Sequence, residues 1–495
     1  MTDQNHPPGR PPRPWVSTRR RYSAMSLVTR KTSCVDCAKA ESYDETEGCR
    51  QSRPEGRAHL ARRCSGRSRP SPAFILHAHE SKEQQLPLPI LNGLRILDLT
   101  HFLAGPAVTR LIADLGAEII KVESIQHFDG SRPMNTPPGP GSHELSAAYN
   151  FFNANKQGIT LDLKNARGVA LALELASVCD AVIENFPTGT IDRLGLDAAT
   201  LRRANPSIVI ISMAGYGQVG PWSQYPSFAT TLAMLGGAYE MTGRPGSQPT
   251  TPNVGGVDPM NGVLGANALM MALMRRRRTG HGVHIDYAQL EATTSLLGEA
   301  VADSSVNRRV AQRRGNHHPV AAPHGIYPCR EEESWISIAV FDDAQFRSLC
   351  DVMDRPDLAA DPRFDSPASR RDNIPELDES IAEWTREQEQ YDVVSRLQTR
   401  GIASGVVHSS KSIWHDPHLQ SLGMIEEVER PISGKKGNMR PELGLSGERS
   451  PTRPAPTLGQ HNKWAFGELL AHSTDEIEAL ERDQVIGTDP LTTRV

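Results

Sequence analysis

A single carboxylate, Asp258, stands where the sequence could support covalent chemistry. It follows the glycine pair Gly255 and Gly256 and precedes Pro259, after which a long apolar run begins. An aspartate has an unperturbed pKa near ~3.9, so at neutral pH it is ionised and can act as a nucleophile without an activating base. The same pattern also predicts a structural role, because Asp at the N-cap and Pro at N1 commonly start a helix. For an isolated Asp-Pro pair, helix capping is the more common explanation.

The chain around Asp258 alternates short apolar runs with stretches in which apolar residues recur at helical spacing. The runs "LRILDLT", "EIIKVE", "GITLDL", "DAVIENF" and "IVIISMAGYG" are typical of buried strands. This alternation predicts an α/β fold with a mostly parallel sheet that helices cover on both faces. Residues 228–242 are nearly uncharged and are predicted to form a buried helix, and Asp258 is predicted to open the next one.

Parallel sheets bind ligands in the crevice at the carboxyl ends of their strands. The candidate loops are therefore residues 101–105, 123–124, 161–164, 185–189 and 214–218. The loop "ENFPTG" is the most informative, because the amide of Asn185 and the ring of Phe186 suit a planar base or a polar backbone. Arg193 follows and could pair with a phosphate. Taken alone, the loop is more typical of an ordinary strand–helix turn.

The usual nucleotide signatures are missing from these loops. No GxGxxG follows the first strand, and no Walker sequence, HExxH or GxSxG motif occurs. A ligand that has an adenosine and phosphates but is held by scattered loops, such as coenzyme A, fits this pattern.

Charge and cysteine usage exclude several classes of protein. Residues 88–495 hold 38 Lys/Arg against 49 Asp/Glu, so a nucleic-acid partner is not predicted. No stretch approaches the ~20 consecutive apolar residues of a membrane span. Beyond residue 87 there are three scattered cysteines, which indicates a reducing compartment without a disulfide framework. The spacing of Cys and His predicts no metal site.

Residues 1–87 have a different composition, rich in Pro, Arg and Ser, with 16 Lys/Arg against 9 Asp/Glu. We interpret them as a disordered basic leader. No acid occurs between Gln4 and Val35, which is similar to an organelle transit peptide, but a plain solvated tail fits equally well. Both a cytoplasmic and a mitochondrial location therefore stay open.

Several motifs together resemble the family III CoA-transferases. They are "LNGLRILDLTHFLAGPAVTRLIADLGAEIIKVE", "NFFNANKQGITLDLK", "CDAVIENFPTGTIDRLGL", "NPSIVIISMAGYGQVGP", "GGVDPMNG", "GHGVHIDYAQLEA" and "APTLGQHN". The resemblance runs from about Leu91 to about Leu480 and keeps the order and spacing of the motifs.

The resemblance implies a Rossmann-like large domain, a smaller α+β domain and an interlocked homodimer. It implies that Asp258 is the nucleophile, with Gly255 and Gly256 beside it as possible oxyanion donors. Coenzyme A would be a substrate, with no permanently bound cofactor. With His101 from the first candidate loop, the implied CoA-contacting positions are Leu103, Ala104, Leu161, Lys164, Asn185, Phe186, Pro187 and Arg193.

The activity that the resemblance implies is transfer of CoA from an acyl-CoA to a free carboxylic acid through an aspartyl anhydride and an aspartyl–CoA thioester. The tetraglycine loop of the formyl-CoA branch is absent, which favours the members that handle dicarboxylates such as succinate and glutarate. Ser124 stands where an arginine often follows "KVE", so one phosphate contact is in question.

Two other functions fit the same fold. An α-methylacyl-CoA racemase would need a second acid/base, a histidine before the aspartate, yet no histidine occurs from Leu201 to Gly280. His101 is a possible but poorly placed substitute. A non-catalytic CoA-binding paralogue is the other alternative, which the presence of Asp258 disfavours.

The predicted domain boundaries follow changes in composition and in the spacing of apolar residues along the chain. After the leader, residues 88–314 form the large domain, and residues 315–430 form the smaller one, beginning with an antiparallel hairpin in "GIYPCREEESWISIAVF". Residues 431–495 are predicted to return to the large domain.

Overall fold

The computed structural model describes residues 90–251, 256–439 and 452–491. The predicted leader, residues 1–87, and one of the two candidate oxyanion residues, Gly255, lie outside the described residues.

The main sheet has six strands, all parallel, in the order β3-β2-β1-β4-β5-β6. Its strands are β1 Arg95–Asp98, β2 Glu118–Glu123, β3 Gln157–Thr160, β4 Ala181–Glu184, β5 Val209–Ser212 and β6 His284–Asp286. The order reverses between β1 and β4, and such a reversal opens a crevice at the carboxyl ends of the strands. The sequence-based prediction of an α/β fold with a parallel sheet is confirmed.

Helices connect and follow these strands. Those of the main sheet are α1 Ala104–Asp114, α2 Ala147–Phe152, α3 Ala166–Ser177, α4 Thr190–Arg193, α5 Ala198–Ala204, α6 Ala229–Leu235, α7 Val257–Thr279, α8 Gln289–Ser295 and α9 Gly298–Asn307. A short 3-10 helix spans Ser142–Glu144.

Each face of the main sheet carries its own apolar core, because side chains alternate between faces along every strand. On one face, β-strand residues such as Ile96 and Ile183 pack with Val108 of α1 and Leu269 of α7. On the other face, Leu97, Val182 and their neighbours pack with α3. Because both faces of the sheet are covered, the strands are continuous apolar runs in the sequence and do not show the apolar–polar alternation of a half-exposed strand.

The C-terminal segment completes the second of these cores. It contains a π-helix, Trp464–Leu469, and after it the last helix of the described chain. Phe466, Ile477 and Ile486 all pack into the core that contains residues of β1 to β4. It also covers the free edge of β3, because the Nδ1 of His461 accepts a hydrogen bond from Gly158 N–H at 3.0 Å and the side chain of Asn462 accepts one from Thr160 N–H at 2.9 Å. These C-terminal residues therefore pack against the main sheet.

A second, antiparallel sheet has the order β7-β8-β9, and a two-stranded hairpin follows it. The predicted hairpin in residues 325–341 is confirmed as β7 and β8. The strands are β7 His324–Pro328, β8 Trp335–Ala339, β9 Ala403–Val407, β10 Ile425–Arg430 and β11 Gly434–Met439. The remaining helices are α10 Asp343–Met353, α11 Pro356–Ala360, α12 Pro367–Asp372, α13 Ile374–Thr385, α14 Gln390–Gln398, α15 Pro417–Ser421 and α16 Thr474–Arg482, with 3-10 turns at Pro362–Phe364 and Ser412–His415.

One predicted element differs. Residues 228–242 do not form a single buried helix: α6 ends at Leu235, and the side chains of Phe228, Met234 and Leu235 are more than half exposed. A lack of charge predicts burial only where the chain itself supplies a cover, and here the described residues bury Leu232, Ala233 and Tyr239 but leave the other side of the stretch exposed.

In the described part of the chain, no helix is long and apolar enough to cross a membrane. Within the same ranges, no group of three or more His, Cys, Asp or Glu side chains could hold a metal ion.

Candidate active site

The first turn of α7 lies at the carboxyl edge of the main sheet. Helix α7 leads into β6, and β6 is parallel to β5, so α7 must run against the strand direction and begin at the edge where the strands end. The loops after β1 and β4 leave the sheet at the same edge. The fold therefore brings Asp258 to the side of the sheet on which the sequence predicts the binding loops.

Two glycines let α7 approach α1 closely. A Cβ built on Gly262 would lie 2.5 Å from the Cβ of Ala107, and one on Gly265 would lie 2.8 Å from a methyl carbon of Val108. Any side chain at these two positions would push the helices apart. Asp258, at i−4 from Gly262, lies on the same stripe of α7.

The two helices also run in the same direction. Leu91 donates its N–H to Leu115 at the end of α1, at 3.0 Å, and lines a groove with Leu273 near the end of α7. Helix α7, with 23 residues, is longer than α1, with 11, and the close approach of Gly262 to Ala107 sets the register of the two helices near the start of each. Asp258 is therefore placed beside the first turn of α1, where the predicted CoA-contacting residues Leu103 and Ala104 lie.

The predicted capping role of Asp258 is wrong in detail. The N-cap of α7 is Gly256, the helix begins at Val257, and Asp258 and Pro259 occupy the second and third helical positions. The N-cap carries no side-chain hydrogen bond. The Asp258 carboxylate is therefore not used as the N-cap, while it stays within the positive end of the helix dipole.

The Asp258 side chain is partly buried, and no charged side chain among the described residues offsets the cost of burying its carboxylate. Burial raises the pKa of Asp258 to about 6, and no charged side chain among the described residues adds to or offsets this shift. None of the described residues donates a hydrogen bond to its carboxylate. A carboxylate in this state is ionised near neutral pH but poorly solvated, which is the condition of a reactive nucleophile.

Asn185 joins two of the predicted binding loops. Its side-chain oxygen accepts the N–H of His101 at 2.8 Å, and its side-chain nitrogen donates to the carbonyl of His101 at 2.8 Å. The ring of His101 lies 5.8 Å from the ring of Phe186. The structure thus brings His101, Asn185 and Phe186 together, with both polar groups of Asn185 engaged in holding the loop after β1.

The other predicted site residues occupy different parts of the edge. Leu161 follows β3 and is buried in the core with its side chain away from solvent, whereas Lys164 is exposed. Pro187 is exposed beside Phe186. Arg193 ends α4, is exposed, and donates to the hydroxyl of Thr190 at 2.7 Å. Among the described residues, no hydrogen bond, ion pair or ring contact joins Leu161 or Lys164 to the His101–Asn185 pair.

A buried ionic network, which the sequence analysis missed, supports the loop after β1. Lys121 of β2 donates to Asp129 Oδ2 at 2.7 Å and to the carbonyl of Thr100, with both charged side chains fully buried. Asp129 Oδ1 in turn accepts the N–H of Phe102 at 2.9 Å and the N–H of Ser131 at 2.8 Å. Burial alone would raise the pKa of Asp129, but Lys121 and His101 hold it well below its usual range.

The network continues on both sides with every charge paired. Arg132 donates two hydrogen bonds, each 2.8 Å, to the carboxylate of Glu123, and a third of 2.7 Å to Glu144. Lys156 contacts Asp98 at 3.1 Å, and burial lowers the pKa of Lys156 to about 8. The sequence carries a signal for this network, because Lys and Glu interrupt the otherwise apolar strand "EIIKVE".

Glu184, at the end of β4, is a second buried acid with an unusual pKa. Its Oε2 accepts the N–H of Phe186 at 2.8 Å, and its Oε1 has no hydrogen-bond partner among the described residues. Burial raises the pKa of Glu184 to about 7. It faces away from α7, because Val182 on the same strand face belongs to the opposite core. Glu184 therefore supports the loop containing Phe186 from beneath.

Comparison with known proteins identifies the family. The family model described as CoA-transferase family III matches residues 91–462. The chain belongs to CoA-transferase family III.

Named relatives within CoA-transferase family III share most of their length with this chain. A succinyl-CoA–D-citramalate CoA-transferase of Chloroflexus aurantiacus is 33% identical over 409 residues, covering 81% of this chain and 99% of the relative. A human succinyl-CoA:glutarate CoA-transferase is 30% identical over 391 residues, covering 79% of this chain and 88% of the relative. The resemblance seen in the sequence motifs is confirmed.

A solved structure of the family has the same fold. A CAIB/BAIF family protein from Brucella suis has a TM-score of 0.70 at 28% identity, covering 77% of this chain and 99% of that chain. The protein is thus an enzyme of the CoA-transferase type, for which CoA and acyl-CoA are substrates.

Proposed function

We propose that Asp258 is the nucleophile with which this family III CoA-transferase moves CoA from an acyl-CoA to a free carboxylic acid. The observation that carries the proposal is the position of its carboxylate: partly buried, without a counter-charge among the described residues, and beside the first turn of α1.

The first half of the reaction exchanges the acyl group for CoA. A carboxylate oxygen of Asp258 bonds to the thioester carbonyl carbon, the C–S bond breaks, and CoA leaves as the thiolate. The thiolate then attacks the aspartyl carbonyl of the resulting anhydride, and the first acid departs as its carboxylate. Asp258 is left as an aspartyl–CoA thioester, and no proton is gained or lost.

The second half runs the same steps in reverse. The acceptor carboxylate attacks the aspartyl thioester, the thiolate leaves, and an anhydride joins Asp258 to the acceptor. Attack of the thiolate on the acceptor's carbonyl releases the new acyl-CoA and restores the Asp258 carboxylate. Each intermediate is open to hydrolysis, so the site must limit water.

Backbone N–H groups at the start of α7 would stabilise the oxyanions. Gly256 is the N-cap, and the first N–H groups of a helix have no partner within it. An oxyanion donor contributes about 3 kcal/mol to such a step. We assign this role to Gly256 together with Gly255.

Coenzyme A is proposed to bind to two loops at the carboxyl edge of the sheet, which carry His101, Leu103, Ala104 and Asn185–Pro187. Leu161, Lys164 and Arg193 are proposed as further contacts. Their support is the strand order β3-β2-β1-β4-β5-β6, in which the loops after β1 and β4 flank the crevice. The names of the two relatives described above both contain succinyl-CoA, so succinyl-CoA is the proposed donor.

An interlocked homodimer is the proposed assembly. Helix α9 has no buried residue, and its Val301 and Val306 are 58% and 78% exposed. On α7, Met271 and Met274 are also more than half exposed. Apolar surface of this extent calls for a cover, which a second copy would supply. Light scattering during gel filtration should give twice the mass of one chain.

The test of the nucleophile is trapping with hydroxylamine. Incubating the protein with succinyl-CoA and hydroxylamine should place a hydroxamate on Asp258, found by peptide mass spectrometry, and D258N should show none. A racemase would instead exchange the proton next to the thioester and leave Asp258 unmodified. Absence of the hydroxamate in a protein that turns over succinyl-CoA would refute the covalent mechanism.

A further inference from the structure

Two exposed aromatic rings meet at the mouth of the proposed site. Phe102 and Phe228 are 47% and 66% exposed, and their ring centroids lie 6.4 Å apart at an interplanar angle of 88°. They come from different loops, one after β1 and one before α6. An edge-to-face pair of this kind is a favourable aromatic arrangement.

The backbone of Phe102 is held in a conformation that a large residue rarely adopts. Its φ is 64°, in the left-handed region. Asp129 fixes it by accepting the Phe102 N–H at 2.9 Å, and Lys121 fixes Asp129. Gly130 makes room, since a Cβ there would lie 2.4 Å from the ring. Strain that the surroundings maintain in this way is typical of functional sites.

The pair flanks Asp258 on two sides. Phe102 directly precedes Leu103 at the start of α1, beside which Asp258 is placed. Phe228 is the N-cap of α6, and Leu232 of that helix packs in one cluster with Val257, the neighbour of Asp258. The two rings therefore belong to segments that adjoin the first turn of α7, which carries the proposed nucleophile.

The segment that contains Phe228 carries no charged side chain. From Ala214 to Tyr239 the sequence contains no Asp, Glu, Lys, Arg or His. Among the described residues, no charged side chain shifts the pKa of Asp258. A second carboxylate would meet no cation of these residues here, whereas an aryl or branched alkyl group would lose its water against two rings. The free carboxylate of succinyl-CoA would meet none either, so that donor would be bound mainly through its CoA part.

We infer that Phe102 and Phe228 determine acceptor specificity, and that they favour acids with an apolar body, such as aryl monocarboxylates, over dicarboxylates. This inference rests on the proposed function of Asp258. It assigns the two rings to one wall of the acyl pocket, where the apolar part of the acceptor packs while its carboxylate reaches the aspartyl–CoA thioester.

The experiment compares two acceptors of similar length, 3-phenylpropanoate and glutarate, with succinyl-CoA as the donor. The wild-type kcat/KM ratio should favour 3-phenylpropanoate about tenfold or more, and F102A and F228A should each lower that ratio about tenfold. F341A is the matched control, because Phe341 is 48% exposed and follows β8, outside the proposed pocket. Its ratio should equal that of the wild type.

Three outcomes would overturn the inference: a wild-type preference for glutarate, an unchanged ratio in both F102A and F228A, or a change in oligomeric mass in these variants without a change in ratio. The last would mean that a second copy, not the acceptor, covers the rings. If F102A fails to fold, F228A still decides. The Asp258 hydroxamate is measured in parallel with each variant, and its absence in the wild type would instead refute the proposed nucleophile.

Discussion

Asp258 and Asp129 are two aspartates near the same edge of the sheet, and their surroundings differ in one respect. Asp129 is fully buried but paired with Lys121, and the pairing holds its pKa low. Asp258 is less buried but has no charged neighbour among the described residues, and burial alone raises its pKa to about 6. Pairing makes a buried carboxylate an inert support, whereas the lack of a partner leaves one available for reaction.

The largest expected effect is on turnover when the unpaired carboxylate is removed. D258N should lower kcat by about 10³-fold or more, because no other group in the proposed mechanism forms the anhydride. The matched control is D475N, since Asp475 is also the second residue of a helix, α16, but is exposed. Steady-state transfer assays measure both, and a D258N enzyme as active as D475N would contradict the assignment.

The next effect is on stability when the paired carboxylate is removed. D129N leaves Lys121 buried without its partner and should cost about 3–5 kcal/mol in the free energy of unfolding. Urea denaturation measures the change. D357N breaks an exposed pair with Arg355 and should cost far less than D129N, because solvent screens the pair. If D129N and D357N lowered the free energy of unfolding equally, the contribution of an ion pair to stability would not depend on its burial.

The pH dependence of transfer should report the raised pKa of Asp258. The ionised carboxylate is the reactive form, so kcat/KM for the donor should fall about tenfold per pH unit below about pH 6 and level off above it. Rates between pH 5 and 8 in a constant-ionic-strength buffer measure this. An acid limb near pH 4 would instead indicate a well-solvated or paired Asp258.

A smaller effect is expected where Asn185 joins the loops after β1 and β4. N185L removes both hydrogen bonds to His101 and should raise the KM for acyl-CoA about tenfold, with less change in kcat. N205L is the matched control, because the Asn205 amide also bonds backbone groups, at Cys179 and Ser207, but lies at the opposite edge. N205L should lose stability without a change in KM.

The smallest effect is a gain in stability. The folded state raises the pKa of Asp258 above its ordinary value, so ionisation destabilises the fold increasingly from about pH 4 to pH 6 and fully above that. D258N should therefore stabilise the protein by about 1 kcal/mol at pH 8, since the helix dipole offsets part of the burial cost. The gain should vanish below pH 4. Thermal melts at both pH values test this, and a loss at pH 8 would contradict it.

The periodicity of the sequence was sufficient to predict the main sheet. The apolar runs at Arg95–Asp98, Ala181–Glu184 and Val209–Ser212 are strands in the structure. Both faces of each strand are buried, so nearly every residue is apolar and the run is visible in the sequence. The carboxyl-edge rule also placed His101 and Asn185 on adjacent loops. That the two bond directly depends on the pairing of β1 with β4, which residue spacing does not specify.

The parts of the site that could not be predicted depend on contacts far apart in the chain. The left-handed backbone at Phe102 follows from Asp129, and the state of Asp129 follows from Lys121. Likewise, Asp258 is not the N-cap, because α7 begins one residue before it. The domain boundaries and the roles of the site residues stay predictions.

The contribution of Phe466, Ile477 and Ile486 to the first core has a consequence for biosynthesis. One face of the main sheet is covered only in part, by α3 and its neighbours, until these three residues are added. A nascent polypeptide that has not yet reached Phe466 therefore leaves apolar side chains of this core exposed to water. Apolar surface exposed in this way favours aggregation before folding is complete.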